Sequence, residues 1–342
     1  MNTGLTHDVA IIGGGAAGLS AAVTLARSLR SVVVVDAGHP RNAPATGMHN
    51  VLARDGVSPL ELLAAGQREA EHYGADIRHD RAVAARRTDD GFEVDLASGG
   101  TVKARRLLLA TGLIDELPDV PGVREFWGKS VLHCAYCHGW EVRGQRIGVL
   151  GTSTLSVHQA LLFRQLSDDV TLFLHQMPDP GDEAWDQLAA LDIQVVSGGV
   201  DRLRGENDVL RAVVLNDGHE FLVDALTVAP RFIARADLYE QLGGALTEHP
   251  LGAFIATGPM GRTEIPGVWA AGNVSDLGAM VAAATGAGVA AAAAINADLV
   301  AEDAGAAVRA RAVTFSPAME ARVTARVLGD RRHDLDIPHW SN

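Results

Sequence analysis

The stretch D-V-A-I-I-G-G-G-A-A-G, residues 8–18, limits what this chain can fold into more than any other feature of it. An apolar strand pattern runs straight into glycines, and a helix-like stretch over residues 19–28 follows. Gly13, Gly15 and Gly18 stand at the G-x-G-x-x-G positions, with Gly14, Ala16 and Ala17 completing the turn. The first glycine allows a tight turn, the second lets backbone approach a pyrophosphate, and the third lets helix and strand pack closely. N–H groups at the start of such a helix face the bound anion. A second strand pattern, S-V-V-V-V-D, ends at Asp36, where an acidic side chain accepts hydrogen bonds from a ribose. Strand, glycines, helix, strand and acid in that order predict a dinucleotide-binding unit of α/β class.

The 342 residues exceed what one hydrophobic core usually holds, so two domains are expected. A formal charge of -13 opposes nucleic acid or an anionic membrane as the main partner, because both need a basic face. The opening residues lack a basic stretch followed by an apolar run, which predicts a cytoplasmic rather than a secreted protein. The longest apolar run, residues 280–295, is nearly all Ala and Gly and reads as a tightly packed helix, not a lipid span.

Farther on, R-R-L-L-L-A-T-G (residues 105–112) reads as a buried strand ending in a Gly turn, and the proline-marked L-P-D-V-P-G after it marks a domain boundary. From Arg146 the opening pattern returns in weaker form, R-I-G-V-L-G-T-S-T-L-S-V-H-Q-A-L-L-F, followed by the strand V-T-L-F-L-H. After Pro250, I-P-G-V-W-A-A-G-N-V-S-D-L reads as a strand leading into the Ala-rich helix.

The only two cysteines, Cys134 and Cys137, lie in H-C-A-Y-C-H-G-W. No second C-x-x-C or H-x-x-x-H accompanies them, which argues against structural zinc despite the flanking histidines, and no metal is expected. A disulfide closing so short a loop restricts the unfolded chain little, so a purely structural bridge is also disfavoured. The spacing favours reversible dithiol/disulfide exchange. His138 follows directly, and an imidazole that titrates near neutrality can move thiol protons. The alternative is a histidine merely packed there, one of 13 in the chain.

The order of these parts resembles the thioredoxin reductase family of flavoproteins, over residues 8–298. The resemblance rests on the glycine turn, A-T-G at 110–112, the C-x-x-C, and G-V-W-A-A-G-N-V-S-D. It implies an α/β fold with two dinucleotide-binding, Rossmann-like domains. A discontinuous FAD domain, 1–117 plus 250–342, would hold a smaller inserted nucleotide-type domain, 118–249, that carries the cysteines. FAD is the implied cofactor, with Gly13, Gly14, Gly15, Ala16, Ala17, Gly18 and Asp36 at its adenosine and pyrophosphate. Asn50, in G-M-H-N, matches a family asparagine near the flavin. Val83, Thr111 and Gly112 join the cofactor site, Gly272 and Asn273 meet the ribityl chain, and the helix from Val281 offers N–H to the pyrimidine edge. The family has Asp at position 273 and Arg-Gln in place of Ala279-Met280. A homodimer is also implied.

The inserted unit departs further. Where the family's NADPH turn reads G-x-G-x-x-A, this chain keeps Gly151 but has Ser153, and a side chain there obstructs phosphate approach. The family's phosphate-reading His-Arg-Arg run is here His175, Gln176 and Met177. The expectation is a domain that kept its fold and lost NADPH, against NADH use or an altered NADPH pose. The form C-x-x-C-H-G-W resembles the FAD-dependent dithiol oxidases that close disulfides in small natural products such as gliotoxin and holomycin. That branch implies a small dithiol substrate, Cys134 as the outer sulfur, Cys137 against the flavin, His138 as proton carrier, and oxygen as acceptor giving hydrogen peroxide. The alternatives are a disulfide reductase fed by NAD(P)H or another donor, and a flavoprotein whose redox state switches partner binding.

Overall fold

A computed structural model describes residues 6–207, 209–313 and 316–329. The chain divides into two units, residues 1–294 and 295–342. In the first, strand β1 (Thr6–Ile12), helix α1 (Ala16–Arg27) and strand β2 (Val32–Asp36) form the expected opening unit, with the two strands parallel and in register from Val9–Val32 to Ile12–Val35. The four valines of β2 are all buried, as a strand covered on both faces requires. Asp76–His79 adds beside β2, Thr101–Leu109 beside β1, and Val268–Ala270 beside Thr101–Leu109, all parallel. The hairpin Ala82–Thr88 and Gly91–Leu96 pairs antiparallel with the start of Thr101–Leu109 and completes seven strands.

Two neighbouring strands of this sheet are thus joined by residues 110–267, and those residues build further sheets of their own. Five parallel strands run in the order Gln194–Val196, Val170–Phe173, Ile147–Leu150, Ala225–Thr227, Val131–Leu132. A three-stranded antiparallel sheet, residues 200–222, shares a core with them through Leu203, Leu210, Val213, Leu150, Phe173 and Leu226. The two crossings between the sheets pair with each other: Leu113–Glu116 lies antiparallel to Arg231–Ala234, and Gly252–Phe254 and Thr247–His249 extend that ribbon.

The return crossing comes earlier than the boundary at 249/250 read from the sequence. That boundary falls inside the antiparallel pair Thr247–His249 and Gly252–Phe254. Ala234, Ala236, Leu238 and Tyr239 bury their side chains with Ala10, Val33 and Leu107 of the seven-stranded sheet. No composition change marks the point, because the crossing strand is apolar on the face it turns to either core.

The Ala-rich run opens a helix, Val281–Val313, that continues well past the apolar stretch. Among the described residues it is the one helix long and apolar enough to cross a bilayer by length and composition. Its first turns instead pack into the protein: Ala284, Ala291 and Ala292 are buried, and a Cβ on Gly288 would sit 2.1 Å from the carbonyl oxygen of Ala17 on α1. The second unit holds the remainder of this helix and a helix Pro317–Leu328, capped as its sequence indicates, with Met319 N–H donating to Ser316 Oγ at 3.3 Å and Gly329 at the C-cap.

Two glycines of the long helix make a matched pair. Gly286→Ala, where a Cβ meets open space, is expected to raise stability by up to about 1 kcal/mol through helix propensity. Gly288→Ala should lower it by about 1–3 kcal/mol, because the backbone of α1 must move. Urea midpoints of the two variants check the opposite signs.

Candidate functional site

The first turn needs its glycines for three different reasons. Gly13 has φ of 108°, and a Cβ there would lie 2.3 Å from Ala110 O. Gly18 approaches so closely that a Cβ would meet Gly13 O, which is the helix-to-strand contact expected of a third glycine. A Cβ at Gly15 would meet nothing within 4 Å, since that position faces a cavity. No side chain caps α1 and its first turn carries no acid, so its N–H groups face that space. Asp36 Oδ1 accepts from Gly14 N–H at 2.9 Å and holds the carboxylate at the end of β2 against the turn.

The cavity, about 790 Å³, gathers most of the candidates read from the sequence: Gly13, Gly14, Gly15, Ala16, Ala17, Asp36, Val83, Thr111, Gly112, Gly272, Asn273 and Val281, together with Cys134, Cys137 and His138. Its walls are the carboxyl ends of β1, Thr101–Leu109 and Val268–Ala270, where open α/β sheets place ligands. Gly18 stays behind the turn in its packing role. Asn50 follows Met48 and His49 of the cavity wall, and its Nδ2 donates to Tyr136 O at 2.7 Å, so it holds the turn between the two cysteines. Asn273 lines the cavity with its amide already engaged, Nδ2 donating to Asp276 O at 3.1 Å and Ala279 O at 2.9 Å. An aspartate has no hydrogens for these two carbonyls, which accounts for Asn where the resembled family has Asp.

Several residues of the site carried no sequence signal. Arg41 donates to Asp115 at 2.8 and 2.6 Å, reaches Asn273 Oδ1 at 3.5 Å and lies over the Phe232 ring. The partners come from three distant segments. Only the position of Arg41 in H-P-R-N, a few residues beyond Asp36, hinted at a cation beside a dinucleotide crevice.

Cys134 and Cys137 are joined as a disulfide, with Cα atoms 5.3 Å apart. Cys134 caps the short helix Ala135–His138, so one helical turn brings the second sulfur back to the first. The flanking histidines diverge. His133 stacks on Trp127 and meets the edge of Phe232, and burial, aided by the Arg41 charge, pushes its pKa down to about 4, so it is neutral at pH 7. His138 is half-buried, its pKa lowered mainly by burial, with Glu141 pulling it up and His49 pushing it down. Among the described residues no group of three or more His, Cys, Asp or Glu could hold a metal ion.

The second nucleotide-type turn has the same elements and a different surface. Gly151 N–H donates to Phe173 O at 2.7 Å, and Gln176 and Met177 N–H both donate to Gly151 O at 3.1 Å. Met177 is buried, and a Cβ on Gly151 would meet its sulfur at 2.8 Å. Ser156 Oγ accepts from Thr152 N–H at 3.2 Å and Ser153 Oγ from Leu155 N–H at 3.3 Å, in the turn that leads into helix Leu155–Arg164, whose N-cap Thr154 makes no side-chain cap. His175 Nδ1 accepts from Val200 N–H at 3.0 Å. The segment after Val170–Phe173 is thus tied back onto Gly151, with Met177 packed against it.

Residues 7–295 match the family of pyridine nucleotide-disulphide oxidoreductases. The solved structure of HlmI is 46% identical, with a TM-score of 0.86 over 92% of this chain and 100% of that one. An oxidoreductase from Agrobacterium tumefaciens is 36% identical, with a TM-score of 0.82 over 86% of this chain and 99% of its own. Thioredoxin reductase tcpT of Claviceps purpurea (strain 20.1) is 36% identical over 300 residues, covering 82% of this chain and 89% of that protein.

The open face of Gly15 supplies a test of the cavity. Gly15→Val should leave the unfolding free energy of the cofactor-free protein within about 1 kcal/mol, since the new side chain enters open space. It should purify without FAD, read from the ratio of visible to ultraviolet absorbance.

Proposed function

Since the chain belongs to the pyridine nucleotide-disulphide oxidoreductase family, whose thioredoxin reductase-like members are FAD-binding flavoproteins, we propose that it is an FAD-dependent dithiol oxidase. It would close a disulfide in a small dithiol and pass the electrons to oxygen. The observation that carries this reading is a contrast within one chain. The redox disulfide lines the same cavity as the open glycine turn, while the second turn has Ser153 at the position where the first has the open Gly15, and its own N–H groups donate to Ser153 and Ser156. Electrons then have an entry at the cysteines and no evident entry from a nicotinamide.

The residues at the first turn fit FAD. Gly13, Gly14, Gly15 and the uncapped start of α1 would hold the pyrophosphate, Asp36 the ribose, and Gly272 and Asn273 the ribityl chain. FAD bound there supplies the two-electron link between the reduced cysteine pair and oxygen, which leaves as hydrogen peroxide.

The protein's own part is thiol exchange. A substrate thiolate attacks Sγ of Cys134, the Cys134–Cys137 bond breaks, and Cys137 leaves as a thiolate. The substrate's second thiolate attacks its own sulfur in the mixed disulfide, the cyclic disulfide departs, and Cys134 is released as a thiolate. Two electrons now reside on the pair, and two thiol protons have been lost. His138, adjacent to Cys137 and neutral at pH 7 because of its burial, is placed to take them. Such a protein would act in the cytoplasm as a homodimer, as the resembled family does.

The names of relatives such as tcpT favour a second reading, a thioredoxin reductase-like disulfide reductase. Oxygen-free protein should keep its flavin colour on adding stoichiometric NADPH, then NADH, lose it on adding dithiothreitol, and regain it in air. Prompt bleaching by either nicotinamide would establish the reductase reading instead. Cys137→Ser should retain FAD and lose dithiol-driven oxygen uptake by about a hundredfold or more, the range expected when a covalent redox partner is removed.

A further inference from the structure

We propose that Gln159, on the helix Leu155–Arg164 of the second nucleotide-type unit, is a positioning residue for the redox turn: it pins the peptide that enters Cys134, so that the two sulfurs stay within bonding reach when their bond is open. The proposal rests on exchange at the cysteine pair, as the proposed function does, and holds for either direction of electron flow. Gln159 lies outside the cavity, so it acts through the turn and touches neither cofactor nor substrate.

Its amide meets three oxygens where the chain leaves the five-stranded sheet. The parallel pairing of Val131–Leu132 with Ala225–Thr227 ends with Val228 N–H donating to Leu132 O at 2.9 Å. The next carbonyls along the two strands are His133 O and Val228 O. Gln159 Nε2 donates to both, at 3.0 and 3.1 Å, and lies 3.2 Å from Thr227 Oγ1. A side-chain amide thus carries the ladder one step further, at the point where the backbone turns off toward the cysteines. His133 O belongs to the planar unit that includes the Cys134 nitrogen, and Cys134 is the N-cap of the helix Ala135–His138, so fixing that plane fixes where the turn starts.

The amide is kept for its donors. Gln159 Oε1 is buried and has no hydrogen-bond partner among the described residues, an arrangement that costs free energy and that an apolar side chain of similar length would avoid. The turn also rests on the segment that carries Gln159: Ala135 packs on the core that contains Val157, Ala160 and Phe163, and a Cβ on Gly139 would collide with the Leu166 side chain. From the loop 47–57, Asn50 Nδ2 donates to Tyr136 O at 2.7 Å. His133 O precedes Cys134 and Tyr136 O precedes Cys137, so each cysteine follows a carbonyl held by a side-chain amide from a different element. Neither hydrogen bond uses a sulfur, and opening the disulfide removes neither. The reduced pair keeps the geometry of the oxidised one, and closing it again needs little reordering.

The test is the equilibrium between the Cys134–Cys137 disulfide plus two glutathione thiols and the protein dithiol plus glutathione disulfide, in which two electrons and two protons pass to the pair. The holoenzyme is equilibrated in oxygen-free glutathione buffers of set ratio, trapped with iodoacetamide and read by mass. Gln159→Leu should move the equilibrium about tenfold toward the dithiol, because a loosened pair closes less readily. Gln159→Met, unbranched and of similar length, should do the same and serves where leucine prevents folding. Thr227→Val, which spares both carbonyl bonds, should stay within about twofold of the wild type, and FAD content should be unchanged throughout. An equilibrium unmoved in folded Gln159→Leu or Gln159→Met overturns the proposal, whatever their urea midpoints. So does an equal shift in Thr227→Val, which marks general packing at the strand end. The measurement involves no turnover, so a protein that passes no electrons to oxygen fails the oxidase reading and can still show the shift.

Discussion

The strand Thr101–Leu109 is the constraint on which the rest of the structure depends. It pairs with β1 along one side and with Val268–Ala270 along the other, so residues more than 150 positions apart must meet on it before any site exists. The three strands are parallel, and their carboxyl ends therefore open on one side. Gly13 follows the first, Ala110 to Gly112 the second, and Ala271 to Asn273 the third. The pieces of the cavity wall are consecutive in space because the strands are adjacent, although they are scattered in sequence. Fitting an entire inserted body between two neighbouring strands also forces two crossings, and these satisfy each other by pairing Leu113–Glu116 with Arg231–Ala234.

Two nucleotide-type turns in one chain act as controls for each other. Both have a strand, a glycine turn, a helix and a second strand. At the first, the glycine that must admit a ligand faces open space. At the second, hydroxyls of Ser153 and Ser156 take N–H groups of the turn, and the segment after the second strand bends back so that Gln176 and Met177 donate to Gly151 O. A buried thioether packs against Gly151, the counterpart of Gly13, and Ser153 stands where the first turn has Gly15. An anion would have to break the serine contacts before gaining those N–H groups, whereas at the first turn Asp36 takes the Gly14 N–H and the face of Gly15 stays open.

What the sequence made legible was local. The glycine spacing, the terminal Asp36 and the C-x-x-C are short-range patterns whose physical meaning lies within a turn or two. The contacts that complete the site are long-range and have no such pattern. Arg41 and Asp115 are 74 positions apart, and Asn50 and Tyr136 are 86 apart. Asn50 shows the difference well: the family resemblance drew attention to it, but its partner, the carbonyl of Tyr136, has no signal in the sequence. The return crossing before Arg231 was likewise invisible, because an apolar strand reads the same whichever core receives it. His138 stood in view, yet its character depends on burial and on Glu141 and His49, one of which arrives from a loop 89 positions earlier in the chain.

That loop explains why the redox turn can be both reactive and held. A disulfide that opens and closes in the proposed exchange cannot rely on its own bond to fix the two sulfurs, and the helix Ala135–His138 is too short to be stable alone. Its support comes from outside: Asn50 holds the carbonyl of Tyr136, between the cysteines, and His49 holds Glu141 just beyond them. The cost is backbone strain at Asn50 and Ala53, stored in residues 47–57 and offset by the loop's own hydrogen bonds. When the Cys134–Cys137 bond is broken, these braces remain, so the sulfurs stay in position to rejoin.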